Sequence, residues 1–351
     1  MKYSKLTTQR GDSLTLNMEL PSNFSYDNDR YNQSLELDDT GVLRWETKKL
    51  KDTYRNESFG ISKLNIINDE KLEIGISGKI LGDNYKEGIT LDTISDVVDT
   101  LNEVGGMNIT TDGILTNSIM RTFDNTFNID LDEKDCVDDY IKSLQFGCIG
   151  NAKLGLTGYT DESLVLQLDT KVKNRMIFYN KELELRTHSK EFIKKHKIVD
   201  DFQNTLRVEL NVTSQDKMRQ NFGLSNGKVR LIDILQSKEN AVRKNFARFV
   251  DIKTSEKLLF DYDTLMSMEI KNKPQLHERF FLIEHFKKFK GDIKKVEAMY
   301  KSLYSDGKVP NKEKIKIRTY FKEWQTMNTP TIDKQNYTRK FREINEKIKA
   351  L

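Results

Sequence analysis

Residues 118–131, SIMRTFDNTFNIDL, indicate the fold class because apolar and polar side chains alternate along them at period two. Such alternation is typical of a β-strand with one buried face. Phe123, Phe127 and Ile129 share one side of this predicted strand. The opposite side carries four polar residues, which are Asp124, Thr126, Asn128 and Asp130. This segment therefore predicts a sheet with an apolar side and a polar side.

Similar alternating segments, bounded by Gly, Asp and Asn, flank this strand and predict further strands. They are SLELDD (34–39), GVLRWET (41–47), SKLNIIN (62–68), KLEIGISGKIL (71–81), AKLGLTGY (152–159), SLVLQLD (163–169), NRMIFYNKELELR (174–186) and TLRVELNVTS (205–214). Helical spacing predicts helices at ITLDTISDVVDTLNEVG (89–105), DEKDCVDDYIKSLQFG (132–147) and THSKEFIKKHKIVDDFQN (187–204). Strands outnumber helices, which favours an α+β fold with an antiparallel sheet and helices on one face.

Charge and periodicity divide the chain into three predicted parts. Residues 1–35 are polar and predict a loosely packed lead-in, and residues 36–227 predict the α+β domain. Residues 228–351 have helical spacing throughout and contain 29 Lys and Arg against 17 Asp and Glu, a net charge of +12. A basic helical domain of this kind suits a polyanion such as DNA, and a solvated lysine-rich surface is the alternative.

Most familiar catalytic motifs are absent from the sequence. There is no GxxxxGK[ST] loop, no GxGxxG after a strand, no GxSxG and no HExxH, and the four histidines form no HxH pair. A metal site would therefore consist of carboxylates, which favours Mg²⁺ or Mn²⁺. No long apolar run and no signal peptide occur, so we expect a cytoplasmic protein without membrane contact.

Three predicted strands carry polar residues that suit a shared site. RTFDNTFNID (121–130) presents acids on one face, RMIFYNKELEL (175–185) adds a tyrosine and a lysine, and LRVEL (206–210) adds an arginine and a glutamate. Any one of them alone is compatible with an ordinary solvent-facing strand. Three such strands together indicate a functional site rather than a solvated surface.

The order of these sequence segments resembles that in the rolling-circle replication initiators of phages and plasmids. Two types are similar, the filamentous-phage gene II/X type and the trans-acting plasmid Rep type. RTFDNTFNI, MIFYNKELEL and LRVELNV follow one another as the strands of that family do. Upstream, ISGKILGDNY (76–85) is similar to a segment of the phage branch. The resemblance covers roughly residues 70–215.

The resemblance implies a ferredoxin-like antiparallel sheet. It also implies an enzyme that nicks and joins single-stranded DNA, in which a tyrosine attacks a phosphodiester. It implies Asp124, Glu184 and Glu209 as ligands of Mg²⁺ or Mn²⁺, with Lys181 or Arg207 countering phosphate charge. The paired-histidine metal motif of many relatives is missing, which favours the plasmid branch. Tyr179 lies in the family-like strand and is the first choice of nucleophile. Other tyrosines remain open for this role, namely Tyr140, Tyr159, Tyr300 and Tyr320.

The implied partners are origin DNA, single-stranded at the nick and duplex at the helical domain, and a helicase of the bacterial host. The basic residues expected to contact duplex DNA are Lys287, Lys288, Lys290, Lys294, Lys295, Lys314, Lys316, Arg318 and Lys322. Two alternatives stay open. One is a DNA-binding protein with an initiator-like fold that does not nick, and the other is a structural or host-interaction protein of a mobile element.

Overall fold

The computed structural model describes residues 9–57, 59–132, 137–148, 155–160, 163–169, 174–249 and 334–351. The chain divides into two compact units. The first comprises Met1–Ile141, Lys153–Arg248 and Ile344–Leu351, and the second comprises Lys142–Ala152 and Phe249–Glu343. Most of the second unit lies outside the described residues, and the β-sheet belongs to the first.

Ten strands form one sheet in which every neighbouring pair is antiparallel. They are β1 (Gly11–Glu19), β2 (Tyr31–Leu37), β3 (Leu43–Leu50), β4 (Ile61–Ile67), β5 (Lys71–Ser77), β6 (Ser118–Asp130), β7 (Gly155–Thr160), β8 (Ser163–Asp169), β9 (Asn174–Asn180) and β10 (Thr205–Val212). Their order across the sheet is β2-β3-β4-β5-β1-β6-β10-β9-β8-β7, so strands from both ends of the unit meet at its centre.

Helices connect and cover the strands. The α-helices are α1 (Asp52–Glu57), α2 (Ile94–Gly105), α3 (Thr111–Asn117), α4 (Val137–Cys148), α5 (Lys181–His188), α6 (Lys190–His196), α7 (Gln215–Phe222), α8 (Leu231–Leu235), α9 (Ala241–Phe249) and α10 (Lys334–Ala350). Short 3₁₀ helices span Asn28–Arg30, Gly78–Glu87 and Val199–Phe202. The predicted mixture of helices with an antiparallel sheet is confirmed.

The central strands are covered on both faces. On one face, the ring of Phe178 on β9 lies 6.0 Å from that of Phe246 on α9. On the other face, the guanidinium of Arg207 on β10 lies 5.3 Å from the ring of Tyr85 in the 3₁₀ helix Gly78–Glu87. All eight residues of β10 are buried as a result. The prediction of helices on one face only is therefore wrong.

The prediction of a loosely packed lead-in over residues 1–35 is wrong for β1. This strand lies at the centre of the sheet between β5 and β6. Leu14, Leu16 and Met18 alternate along it and are at most 3 % exposed. Burial of apolar side chains on a central strand is a main source of stability in a sheet. The N-terminal segment therefore belongs to the core of the first unit.

The predicted strand over residues 174–186 is correct only as far as Asn180. There the side chain Oδ1 accepts a hydrogen bond from the backbone N–H of Leu183 at 3.1 Å, and α5 begins at Lys181. Asparagine is a preferred N-cap residue, and Lys, Glu and Leu all favour helices. Glu184, which was expected on a strand, therefore lies on α5.

The predicted domain boundary at residue 227 also differs from the structure, because α8 and α9 belong to the first unit. Residues 250–333 lie outside the described residues, and with them most of the predicted all-α domain. The nine basic residues expected to contact duplex DNA fall in that range, and they are Lys287, Lys288, Lys290, Lys294, Lys295, Lys314, Lys316, Arg318 and Lys322. In the part of the chain that is described, no helix combines the length and hydrophobicity needed to cross a bilayer.

The central position of β1 can be tested by shortening one of its side chains. Leu16 is 0 % exposed, so Leu16→Ala should lower the free energy of unfolding by about 2–5 kcal/mol through lost burial and a cavity. The matched change Leu43→Ala, at a leucine that is 52 % exposed, should alter it by less than about 0.5 kcal/mol. Urea denaturation measures both. Equal effects of the two changes would contradict the placement of β1.

Candidate functional site

The three motif strands predicted from the sequence lie side by side as β6, β10 and β9. Their register places Asn128 and Tyr179 on either side of Arg207. In the next row of the same face, Thr126 lies opposite Glu209. Because side chains alternate between the faces of a strand, Arg207 and Glu209 project to the same side. The structure therefore brings the polar residues of the three strands together.

Asp12 reaches this face from β1 through a β-bulge. Gly11 pairs with Asn125 and Ser13 pairs with Asp124, so Asp12 is an extra residue in β1. Bulges commonly redirect a side chain at a functional site. The residues that meet here are called the polar cluster below, and they are Asp12, Tyr85, Asn128, Tyr179, Lys181, Glu184, Arg207 and Glu209.

Arg207 lies at the centre of the polar cluster and is 1 % exposed. Its Nη1 donates to Asp12 Oδ1 at 2.7 Å and to the Tyr85 hydroxyl at 3.1 Å. Its Nε donates to Asn128 Oδ1 at 2.9 Å. Tyr85 in turn donates to the same Asp12 oxygen at 3.1 Å. Arg207, which was expected to meet a phosphate, is thus enclosed by its own chain and holds the cluster together.

The charges of Asp12 and Arg207 depend on each other. Burial by itself would raise the pKa of the Asp12 carboxyl, but the positive charges of Arg207 and Lys181 lower it to about 2. Burial would lower the pKa of Arg207, but the neighbouring Tyr85 and Asp12 hold it well above its ordinary value. The two groups therefore form a buried ion pair across the physiological pH range.

Glu209 and Tyr179 form the second contact of the cluster, because the Tyr179 hydroxyl donates a hydrogen bond to Glu209 Oε1. Burial, and next the negative charge of Asp12, raise the pKa of Glu209 to about 7 although Arg207 opposes the shift. Burial and the Glu209 carboxylate raise the pKa of Tyr179 well above its ordinary value. A protonated hydroxyl thus contacts a carboxyl group that can accept its proton near neutral pH.

Lys181 is the first residue of α5 and is 2 % exposed. Its Nζ lies 2.6 Å from Glu184 Oε2 and 5.5 Å from the centroid of the Tyr179 ring. Burial, and next the positive charge of Arg207, lower the pKa of Lys181. The start of α5 therefore places the Lys181 ammonium group, with its lowered pKa, beside the ring of Tyr179.

A pocket of about 340 Å³ opens beside the polar cluster, between β8, β9 and α5. Two members of the cluster, Tyr179 and Glu184, line it. The other lining residues include Ile177, Asn180, Leu183 and His188. The volume is at the small end of the usual range for ligand sites, and the half-buried Tyr179 forms part of the wall of the pocket.

The three carboxylates predicted to bind Mg²⁺ or Mn²⁺ do not converge on one position. Asp124 and Glu209 share a face of the sheet, but Glu184 lies on α5 and is bonded to Lys181. Thr126, next to Glu209, has a buried Oγ1 without a hydrogen-bond partner within the described ranges. Among the described residues, no group of three Asp, Glu, His or Cys side chains is suited to a metal ion. The oxygen chemistry suits these cations, but the predicted triad is not assembled.

The alternative tyrosines have different positions. Tyr140 on α4 is 0 % exposed, and Tyr159 lies on β7 opposite Leu164. Tyr300 and Tyr320 are outside the described residues. Tyr179, in contrast, is bonded to a carboxyl group of the polar cluster and lines the pocket.

Three members of the polar cluster were not predicted as site residues. Asn128 was placed on the polar face of its strand without a role in the site, and Asp12 and Tyr85 were not singled out. Asp12 precedes the alternating run of Leu14, Leu16 and Met18, and this alternation was the available signal for a buried strand. Tyr85 ends the ISGKILGDNY segment that carries part of the resemblance. Neither signal identifies the contact with Arg207, which depends on tertiary structure.

No protein-family model matches this chain, and no curated protein gives a significant match. The resemblance to rolling-circle initiators therefore stays a prediction. It rests on the order and spacing of the motif residues.

The buried ion pair predicts an asymmetric response to mutation. Arg207→Met should lower the free energy of unfolding by about 3–5 kcal/mol, because it leaves the Asp12 carboxylate buried without its cation. Adding Asp12→Leu should restore most of that loss, since the unpaired charge is then removed. Urea denaturation of the two variants measures the difference. A double variant that is less stable than Arg207→Met would contradict the pairing.

The raised pKa of Glu209 predicts a pH dependence of stability. A carboxyl with a higher pKa in the folded state binds its proton more tightly there, so the free energy of unfolding should fall as pH rises from about 4.5 to 7. The expected contribution is about 3 kcal/mol. Glu209→Gln should remove it, whereas Glu103→Gln, at an exposed carboxylate on α2, should not. Urea denaturation at several pH values tests this, and an unchanged slope in Glu209→Gln would refute it.

Proposed function

We propose that this chain is a replication initiator of a phage or plasmid that nicks and rejoins one strand of origin DNA, with Tyr179 as the nucleophile. The hydrogen bond from Tyr179 to Glu209 is the observation that carries the proposal. It joins a hydroxyl nucleophile to a proton acceptor, and the two come from neighbouring motif strands. The sequence resemblance supplies the substrate class.

The proposed step forms one bond and breaks one. The Tyr179 oxygen attacks the phosphorus atom of a phosphodiester while Glu209 accepts the phenolic proton. The bond from phosphorus to a deoxyribose oxygen breaks, which leaves a phosphotyrosine link and a free hydroxyl group. Because burial raises the pKa of Tyr179, the proton must leave during the attack rather than before it. Attack by a hydroxyl on the phosphotyrosine reverses the step and rejoins the strand.

Lys181 has two parts in this proposal. Its positive charge, 5.5 Å from the ring of Tyr179, offsets the charge that develops on the phosphate oxygens. Its lowered pKa also makes the ammonium group a better proton donor to the departing deoxyribose oxygen. Arg207 is a positioning residue here, because its hydrogen bonds go to Asp12, Tyr85 and Asn128.

The predicted Mg²⁺ or Mn²⁺ stays a prediction, and none of these steps depends on it. If such an ion binds, Asp124, Glu209 and the Thr126 hydroxyl offer oxygen ligands on one face of the sheet. The ion would then polarise the phosphate that is attacked. The binding of duplex DNA by residues 228–351, and a host helicase as partner, also belong to the proposal.

The test is an incubation with labelled single-stranded oligonucleotides from the protein's own replicon, with Mg²⁺, with Mn²⁺ or with a chelator, on a denaturing gel. The wild type should give a shortened strand and a covalent protein–DNA adduct. Tyr179→Phe should give no adduct, and Glu209→Gln should slow the reaction by about 10²–10⁴-fold. Tyr26→Phe is the matched control, since that hydroxyl contacts Lys48 away from the cluster.

Each contrary outcome has a defined meaning. An adduct that persists in Tyr179→Phe would move the nucleophile to another tyrosine, which peptide mapping would identify. Salt-dependent DNA binding without cleavage in any metal would favour the non-catalytic initiator-like protein. Neither binding nor cleavage would refute both DNA functions and favour a structural or host-interaction protein.

A further inference from the structure

One face of β9 is partly open on the side of the polar cluster that lies away from β6. Arg175, Ile177 and Tyr179 alternate along this face and are each partly exposed, whereas the residue before each of them is buried. On the neighbouring strand β8, Ser163 and Val165 lie opposite Tyr179 and Ile177 and are also partly exposed. These five residues are called the open band below.

Arg175 lies at one end of the open band and Tyr179 at the other. The register of β9 and β10 places Arg175 opposite Asn211, next to the row that contains Ile177 and Glu209. The Arg175 Nε donates a hydrogen bond to Asn211 Oδ1 at 3.0 Å, and Asn211 is 5 % exposed. A buried amide therefore holds the guanidinium on the same face of the sheet as the Tyr179 hydroxyl.

The guanidinium of Arg175 keeps most of its hydrogen-bonding capacity. Arginine has five N–H donors in a planar fork that matches the oxygens of a phosphate. Within the ranges that the structure describes, only Nε is engaged, and neither Nη1 nor Nη2 donates to a protein acceptor. Asp124, the acid of the same row, lies on β6 beyond Asn211, about 10 Å away at the usual strand spacing. Arg175 is therefore able to bind an anion that approaches the open band.

The remaining residues of the open band suit a single nucleic-acid strand. Ile177 and Val165 form an apolar surface between Arg175 and Tyr179, and a nucleic-acid strand combines charged phosphates with apolar base faces. Arg175 precedes Tyr179 by four residues, which is about 13 Å along an extended strand. At the phosphate spacing of B-DNA this length corresponds to at most about four nucleotides. One short piece of strand can thus reach both ends of the band.

We propose that Arg175 binds a backbone phosphate of the DNA strand that Tyr179 attacks, at most about four nucleotides from the cleaved bond. Asn211 is a positioning residue, because it holds the guanidinium through Nε. The second phosphate contact fixes the strand along β9, so that the phosphate to be cleaved lies at the Tyr179 hydroxyl. The inference rests on the proposed nicking activity for its substrate, and it adds a contact that the nicking step itself does not require.

Binding of labelled single-stranded oligonucleotides at several salt concentrations tests the contact, in a Tyr179→Phe background that forms no adduct. Arg175→Met should weaken binding by about 10-fold and reduce the salt slope by about 0.7, equally for two unrelated sequences. Arg175→Lys should keep the slope but bind less tightly than arginine, because it has the charge without the fork. Arg44→Met, at an exposed arginine on β3, is the matched control and should change neither quantity. Thermal unfolding checks that each variant is folded.

The position of the bound phosphate can be mapped with the cleavable chain. Single phosphates on either side of the cleaved bond are replaced in turn by a neutral methylphosphonate, and the rate of nicking is measured. One replacement within about four nucleotides should slow the wild type, and the same replacement should cause no further loss in Arg175→Met. A further loss at every position in Arg175→Met would contradict the assignment.

The outcomes separate this inference from the proposed function. Unchanged affinity and slope in Arg175→Met would refute the phosphate contact, even in a protein that nicks DNA. Weaker binding with an unchanged slope would also overturn it, since the arginine would then act only through the fold. A reduced slope in a protein that does not nick would support the contact and refute nicking alone. A chain that binds no single-stranded DNA would overturn both.

Discussion

The ion pair between Arg207 and Asp12 is the constraint on which the rest of the site depends. β10 is buried along its whole length, and a charge at its centre is tolerable only when it is paired and hydrogen-bonded. The bulge in β1 supplies the carboxylate, and Tyr85 and Asn128 supply further hydrogen bonds. The position of the first strand and that of the 3₁₀ helix Gly78–Glu87 therefore follow from one buried arginine.

The same ion pair separates the behaviour of two neighbouring carboxyl groups. Asp12 takes the closest contact with Arg207, and its pKa is lowered to about 2. Glu209 is buried on the same face without that contact, and its pKa is raised to about 7. Because their pKa values shift in opposite directions, the two carboxyl groups have different roles. Asp12 stays charged and stabilises the structure, whereas Glu209 can exchange a proton. A proton acceptor beside Tyr179 is thus a consequence of how the arginine is neutralised.

The sequence predicted the strands that carry the site, because period-two alternation in residues 118–131 and 205–214 is a local property. It did not predict the bulge at Asp12 or the second covered face of β10, since both depend on which strands become neighbours. The KELELR segment was misassigned because alternation and helix propensity coincide there, and the Asn180 N-cap decides between them. Glu184 was consequently placed on a strand, which is why the predicted carboxylate triad was not found.

The bulge at Asp12 also has a consequence for how the chain acquires its structure during synthesis. Asp12 on β1 and Arg207 on β10 are 195 positions apart in the chain. The ion pair between them therefore cannot form until β10 has been synthesised. Contacts of such long separation slow folding, because the intervening loop must close before they form. A nascent chain that has not yet reached β10 contains Tyr85 and Tyr179 but neither Arg207 nor Glu209. A nascent polypeptide that ends before β10 therefore cannot carry an assembled site, and the site can form only once this central strand has left the ribosome.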